Sequence, residues 1–188
     1  MQLTLIRHGL TAGNVQRLFY GSTDLPLLPE GLAALEQLRQ SGSYPQAGRF
    51  YTSGMRRANQ TLAALYGPVA YTVLPGLREI DFGEFEMKSY PELCNLPGFQ
   101  AWITGDNEAN VCPGGESGVQ VTWRALAALA PLLTAEEDAV CITHGGVIGG
   151  VLAQWFPQGS RYDWTPQPGH GFQITCLAGK PVDIRPIP

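Results

Sequence analysis

Two periods of apolar residues take turns along the chain. Gln2-Leu-Thr-Leu-Ile6 is β-prone and runs into the Gly-containing polar stretch Arg7-His-Gly-Leu-Thr-Ala-Gly-Asn14, which predicts a strand and then a loop. After the Pro- and Gly-punctuated residues 21–29, Leu32, Leu35 and Leu38 recur at helical spacing within 30–39, and Ser41-Gly42 ends that helix. Arg49-Phe-Tyr-Thr52 is a short β-prone run, and after Ser53-Gly54 residues 55–66 suit an amphipathic helix closed by Gly67-Pro68. Residues 69–74 predict another strand and 76–87 a loop dense in Arg, Glu, Asp, Gly and Phe. Residues 91–104 predict a helix broken at Pro97-Gly98, and 106–118 a loop. Trp123, Leu126, Ala127, Ala130 and Leu133 share one face of a helix over 119–133, with Pro131 near its end. Ala139-Val-Cys-Ile-Thr143 reads as a buried parallel strand entering His144-Gly145-Gly146 and an apolar helix over 147–156. Residues 172–177 and 182–184 are two further β-prone runs.

Strands alternating with helices predict an α/β fold, a three-layer α/β/α sandwich on a mostly parallel central sheet. In such sheets ligands collect at the carboxyl ends of the strands. Arg7-His8, Ser53 to Arg57 and His144-Gly145 each follow a predicted strand, so parallel strands bring all three to one rim. At roughly 150 residues per domain, a length of 188 predicts one domain over 1–188.

Composition narrows the function. With 44% hydrophobic residues, 15% charged residues and a formal net charge of −4, the chain reads as a folded protein, and a general nucleic-acid or anionic-membrane partner is not expected. Arg7 and His8 interrupt the first apolar stretch before a signal-peptide core forms, and no apolar run reaches spanning length, so the expected location is the cytoplasm. Cys94, Cys112, Cys141 and Cys176 are scattered, without a C-x-x-C pair, and read as reduced thiols. A tyrosine-phosphatase-type thiol needs an arginine six positions on, where Gln100, Gly118, Val147 and Val182 stand. Signatures of a P-loop, a dinucleotide fold and a zinc protease are also missing. The three histidines lack metal-ligand spacing, so no metal and no cofactor is expected.

The rim chemistry points to phosphorus. Two guanidiniums clamp a phosphoryl group by bidentate hydrogen bonds, and helix N-termini add N–H donors. One imidazole, unprotonated at one nitrogen, can attack phosphorus while a second, protonated one steadies the moving oxygens. A leaving alcohol also needs a proton, and the loop 77–86 offers carboxyls, with a pKa expected to be raised by partial burial. Against these readings, Cys141 is expected to be a core thiol, His170 a loop residue, and Trp102, Trp123, Trp155 and Trp164 packing residues. Gly114-Gly-Glu-Ser117 reads as a turn capping the helix that follows.

Leu5-Ile-Arg-His-Gly-Leu-Thr-Ala-Gly-Asn14 resembles the R-H-G-x-T-x-x-N signature of the histidine phosphatase superfamily, also called phosphoglycerate-mutase-like. Gly21-Ser-Thr-Asp-Leu-Pro-Leu27, Ser53-Gly-Met-Arg-Arg-Ala-Asn-Gln-Thr61 and Thr143-His-Gly145 are similar to its later segments, in order. The resemblance implies that His8 becomes a phosphohistidine, that Arg7, Arg57 and His144 surround the phosphate, and that Glu79 donates the proton, with Asp81, Glu84 and Glu86 ranked behind it. It also implies that Asn14, the Gly21 backbone, Thr23 and Gly145 bind substrate, and that Arg56 faces solvent. Gly54, Leu28 and Phe85 depart from the common Pro, Thr and Trp of the pattern. The interval from the acidic loop to His144 is short for a mutase, which favours hydrolysis of a small phosphomonoester. Residues 82–87, 100–103 and 113–117 look most like the α-ribazole-5′-phosphate phosphatases of cobalamin nucleotide-loop assembly. Broad-specificity histidine phosphatases, phosphoglycerate mutase-like enzymes and a catalytically silent phosphoryl-binding module are the alternatives, and the oligomeric state stays open.

Overall fold

The computed structural model describes residues 1–42 and 44–188. In chain order these form β1 (Gln2–Arg7), α1 (Ala12–Val15), β2 (Leu18–Phe19), α2 (Pro29–Gln40), β3 (Arg49–Thr52), α3 (Arg56–Tyr66) and β4 (Thr72–Val73). They continue with β5 (Lys88–Ser89), α4 (Tyr90–Leu93), α5 (Pro97–Ile103), α6 (Gly118–Ala135), β6 (Ala139–Thr143), α7 (Gly145–Trp155), β7 (Gly171–Leu177) and β8 (Lys180–Ile187). Six strands make one sheet in the order β4-β3-β6-β1-β7-β8. Its first four strands are parallel, and β7 and β8 add antiparallel at one edge.

Alternation along the central strands creates the three layers. Leu3, Leu5, Ala139 and Cys141 point to one face and pack with Val121, Ala125 and Leu129 of α6 and Ile148, Val151 and Leu152 of α7. Ile6, Val140 and Ile142 point to the other face, where Leu35 of α2 and Ala58, Leu62 and Leu65 of α3 cover them. A third, smaller cluster of Phe85, Leu93, Phe99 and Cys112, with Phe19, Phe82 and Trp102 against it, lies beside the two-stranded β2-β5 ribbon.

Register sets the site. Arg7 lies opposite Thr143 in the β1–β6 pair, so the residues that follow, His8 and His144, leave the sheet side by side. In the β3–β6 pair Thr52 lies opposite Ile142, which brings Ser53 to the same level.

Several boundaries differ from expectation for local reasons. Residues 69–74 yield only the pair Thr72–Val73, because Gly67 and Val69 close a turn (N to O 3.0 Å) before the chain reaches β3. Pro97 begins α5 instead of breaking a longer helix, a position where its missing N–H costs nothing. Helix α7 starts at Gly145, two residues earlier than its apolar run. Helix α6 continues past Pro131 to Ala135, and Ser117 caps its start, accepting from Gln120 N at 3.2 Å. The loop after β1 contains the single turn α1, closed by a capping box between Thr11 and Asn14. Cys141 is fully buried in β6, where burial pushes its thiol up, and the four cysteines are unpaired. No helix among the described residues is long and apolar enough to cross a membrane.

Candidate active site

His8 is 2% exposed, and its Nδ1 lies 2.7 Å from the carbonyl oxygen of Gly9. A carbonyl only accepts, so Nδ1 carries the hydrogen and Nε2 is left with its lone pair. Burial, then the charges of Arg57 and Arg7, hold the His8 pKa well below the usual histidine value, and the ring is neutral. Gly9 is itself fixed by its N–H to Thr61 Oγ1 at 2.9 Å, and that hydroxyl donates to Arg57 O at 2.7 Å. The threonine that ends the Ser53–Thr61 motif therefore ties the loop after β1 to α3.

His144 stands 5.2 Å from His8, centroid to centroid, and takes the opposite tautomer. Arg57 Nε donates to its Nδ1 at 3.2 Å, so the hydrogen sits on Nε2, which lies 2.8 Å from Ser53 Oγ. The expected protonated second imidazole is not what this geometry holds. Burial, with the charges of Arg57, His8, Arg7 and Arg124, keeps His144 neutral, and its ring orients the Arg57 fork.

Arg57 is completely buried at the first turn of α3, while neighbouring Arg56 is exposed. Its Nη1 donates to Thr23 O at 2.9 Å and its Nη2 to Gly21 O at 2.8 Å, and its guanidinium carbon lies 5.1 Å from the centre of the Tyr20 ring. Burial lowers Arg57 from its usual value, yet a guanidinium stays charged in a protein. Arg7 donates from Nη1 to Pro166 O at 2.8 Å, and its buried Nε has no partner among the described residues. Such an orphan beside a second guanidinium and two helix starts suits an anion. A cavity of about 440 Å³ joins Arg7, His8, Asn14, Tyr20 and Glu79.

Glu79 enters this cavity from the loop after β4. Its Oε2 accepts from Gly146 N at 3.0 Å, inside the first turn of α7, and its Oε1 from Ile80 N at 3.1 Å. Asn14 Oδ1 is occupied twice by Thr11, through N and Oγ1 at 3.0 Å each, so the group Asn14 can offer a ligand is its NH2. Gly21, Thr23 and Gly145 are placed less directly. Gly21 N–H donates to Glu86 and its carbonyl holds Arg57, while a Cβ there would lie 1.6 Å from Ile80 O. Thr23 donates from Oγ1 to Glu86 Oε2 at 2.6 Å. A Cβ on Gly145 would lie 3.1 Å from the Arg7 guanidinium carbon, so this glycine gives Arg7 its room.

Three groups organise these residues in roles their sequence context does not show: Glu86, ranked behind Glu79 as a proton donor, and Arg124 and Glu116. The Glu86 carboxylate accepts from Gly21 N, Ser22 N, Phe82 N, Thr23 N and Thr23 Oγ1. Burial pushes its pKa up, but the bonds from Thr23 and from the backbone outweigh that and leave it lowered. Arg124 on α6 donates to the carbonyls of Gly76, Arg78 and Glu79 at 2.8, 2.6 and 3.0 Å, and forms a two-pronged pair with Glu116. Glu116 also accepts from Asp81 N at 3.0 Å. The turn Gly114 to Ser117 thus does more than cap α6, since its carboxylate and Arg124 clasp the loop that carries Glu79.

The model of the histidine phosphatase superfamily (branch 1) matches residues 3–178. The chain belongs to the histidine phosphatase superfamily. A curated adenosylcobalamin/alpha-ribazole phosphatase of Salmonella typhimurium is 29% identical over 161 residues, covering 82% of this chain and 79% of the relative. The crystal structure of a phosphoglycerate mutase from Thermus thermophilus superposes with a TM-score of 0.76 at 28% identity, over 98% of both chains. That of the alpha-ribazole phosphatase from Shigella flexneri gives 0.84 over 96% of this chain and 93% of that one, and at 22% identity it speaks for the fold alone. This histidine phosphatase is accordingly a phosphatase-type enzyme on a phosphoglycerate-mutase-like α/β sandwich. Gly54, where the superfamily pattern commonly has Pro, sits at φ +83°, a conformation closed to proline.

Proposed function

We propose that this histidine phosphatase hydrolyses a small phosphomonoester in two steps through a phosphohistidine on His8, with α-ribazole 5′-phosphate as its substrate. The observation that carries the mechanism is the tautomer of His8, whose Nδ1–H is committed to Gly9 O while a neutral Nε2 stands among the guanidiniums of Arg7 and Arg57. In the first step the Nε2 lone pair forms the N–P bond, the P–O ester bond breaks, and the leaving oxygen takes the Glu79 carboxyl proton. In the second, water gives a proton back to Glu79 and attacks phosphorus. The N–P bond breaks, the electron pair returns to Nε2, and inorganic phosphate leaves.

Arg7 and Arg57 bind the non-bridging oxygens in both steps, where charge must be held more than made. Asn14 supplies NH2 donors from the other side of the cavity. His144 acts through Arg57, whose Nε it accepts from, and Gly21, Thr23 and Gly145 serve by placing the two arginines. The choice of substrate rests on the likeness to the Salmonella phosphatase and on the sequence of residues 82–87, 100–103 and 113–117.

Release of inorganic phosphate from α-ribazole 5′-phosphate, p-nitrophenyl phosphate and 3-phosphoglycerate, measured in parallel, tests the reading. The expected outcome is a kcat/KM for the ribazole ester at least about tenfold above the other two. Equal rates on all three would overturn the substrate, and isomerisation of 3-phosphoglycerate without phosphate release would favour a mutase.

A further inference from the structure

Four buried side-chain donors have no partner among the described residues: Arg7 Nε, Trp102 Nε1, Arg161 Nε and Trp164 Nε1. Buried donors normally find acceptors, so each needs an explanation. Trp164 packs its nitrogen against Gly159, and Arg7 belongs to the phosphoryl cavity. Trp102 and Arg161 both line a second cavity of about 280 Å³, which meets the first at Glu79 and Phe82.

The two cavities differ in chemistry. The first is lined by Arg7, His8, Asn14 and Arg17. The second has an aromatic wall of Phe19, Phe82 and Trp102, with centroids 5.5 to 6.1 Å apart and rings nearly perpendicular. The same cavity is lined by Arg161, whose Nη1 pairs with Glu108 at 2.7 Å and whose Nη2 donates to Gly146 O at 2.9 Å. Since Glu79 must touch the leaving oxygen to protonate it, the carbon framework of the alcohol begins where the cavities join.

We infer that the second cavity holds the alcohol portion of the ester and selects an uncharged alcohol bearing a flat ring with a hydrogen-bond acceptor. This rests on the phosphatase reading above and adds the residues that choose the substrate. The aromatic wall supplies apolar faces for a ring, and a small turn of Trp102 or Arg161 in the cavity wall brings its unpartnered Nε1–H or Nε–H to a ring nitrogen or a sugar hydroxyl. Charge works against an anionic alcohol. Glu108 borders the cavity and already pairs with the guanidinium of Arg161, so a glycerate carboxylate finds no free cation there among the described residues.

The test compares three esters, α-ribazole 5′-phosphate, glycerol 3-phosphate and 3-phosphoglycerate, on the wild type and on two variants. Trp102→Phe keeps a ring in the wall and removes the donor. It should lower the ribazole-to-glycerol ratio of kcat/KM about tenfold, the effect of one lost hydrogen bond of ordinary strength. Glu108→Gln frees the Arg161 charge and should raise the phosphoglycerate-to-glycerol ratio about tenfold, a gain that poor folding cannot mimic. Calorimetric titration with free α-ribazole in the presence of inorganic phosphate gives a readout without turnover, and Trp102→Phe should bind it about tenfold more weakly. Ratios and affinity within about twofold of the wild type would overturn the pocket assignment while leaving the phosphatase reading intact. Turnover that survives His8→Ala would overturn the mechanism instead, whatever the ratios show.

Discussion

Glu86→Gln is the substitution that most directly probes how the phosphoryl pocket is held. The carboxylate gathers five donors from Gly21, Ser22, Thr23 and Phe82, and the carbonyls of Gly21 and Thr23 in turn grip Arg57. A glutamine with its oxygen in the Oε1 position keeps the three bonds there, at 2.8, 2.9 and 3.1 Å, without their charge. Its NH2 then faces Thr23 N–H, which loses its acceptor, while the Thr23 hydroxyl can turn and accept. Hydrogen bonds to an ionised partner contribute roughly 1.5–3 kcal/mol against about 1 for neutral ones, and an abandoned donor costs about 1–3. Because the group is only half-buried, the expected loss is about 3 kcal/mol, read by urea unfolding at pH 7 as a midpoint at least about 1 M lower. The sign of the pH dependence follows from the lowered folded value of Glu86. Its contribution is fully present above the unfolded glutamate value of about 4.3 and is lost as pH falls through the folded value, so the gap between wild type and variant closes in acid. With the Arg57 anchor loosened, kcat should fall about a hundredfold. An unfolding free energy within about 0.5 kcal/mol of the wild type at pH 7, together with unchanged kcat, would refute the reasoning.

Other outcomes follow from the same geometry. Glu79→Gln should slow an alkyl phosphate at least about tenfold more than p-nitrophenyl phosphate, whose leaving group needs no proton, and equal slowing would exclude Glu79 as the acid. Arg124→Met removes the clasp on the carbonyls of Gly76, Arg78 and Glu79 and should destabilise the protein by about 2–3 kcal/mol in urea, also with the larger kinetic loss on alkyl esters. His8 and His144 have folded pKa values below the unfolded value of about 6.5, so the unfolded chain binds more protons below that pH. Stability should therefore be full above about pH 6.5 and decline beneath it with a slope approaching 1.4 kcal/mol per pH unit for each ring. A melting temperature that stays level from pH 7.5 to 5 would contradict the buried neutral pair.

Much of the fold and part of the site are legible in the sequence, for identifiable reasons. Period and punctuation locate β1, β3 and β6, and the rule that parallel strands present their carboxyl ends together is enough to bring His8, Ser53, Arg57 and His144 to one rim. The two-residue strand β4 and the start of α5 at Pro97 escape such a reading because turn closure and proline capping are local choices that apolar counting does not register. The organising roles of Glu86, Glu116 and Arg124 are not legible for another reason. Their partners are mostly backbone groups up to 65 residues away, which carry no side-chain signature, and a charged residue in a loop or on a helix reads equally well as solvated. The opposite tautomers of His8 and His144 likewise depend on neighbours that only the folded register brings within reach.

The central claim is that the phosphoryl group passes through Nε2 of His8. Rapid quenching of the enzyme during turnover of a 32P-labelled ester, in alkali, which preserves phosphoramidates, and in acid, which destroys them, tests it directly. The account predicts labelled protein after the alkaline quench, label lost in acid, the modified residue mapping to His8, and no label on His8→Ala. Steady turnover with no alkali-stable label on the protein, or label on another residue, would contradict it.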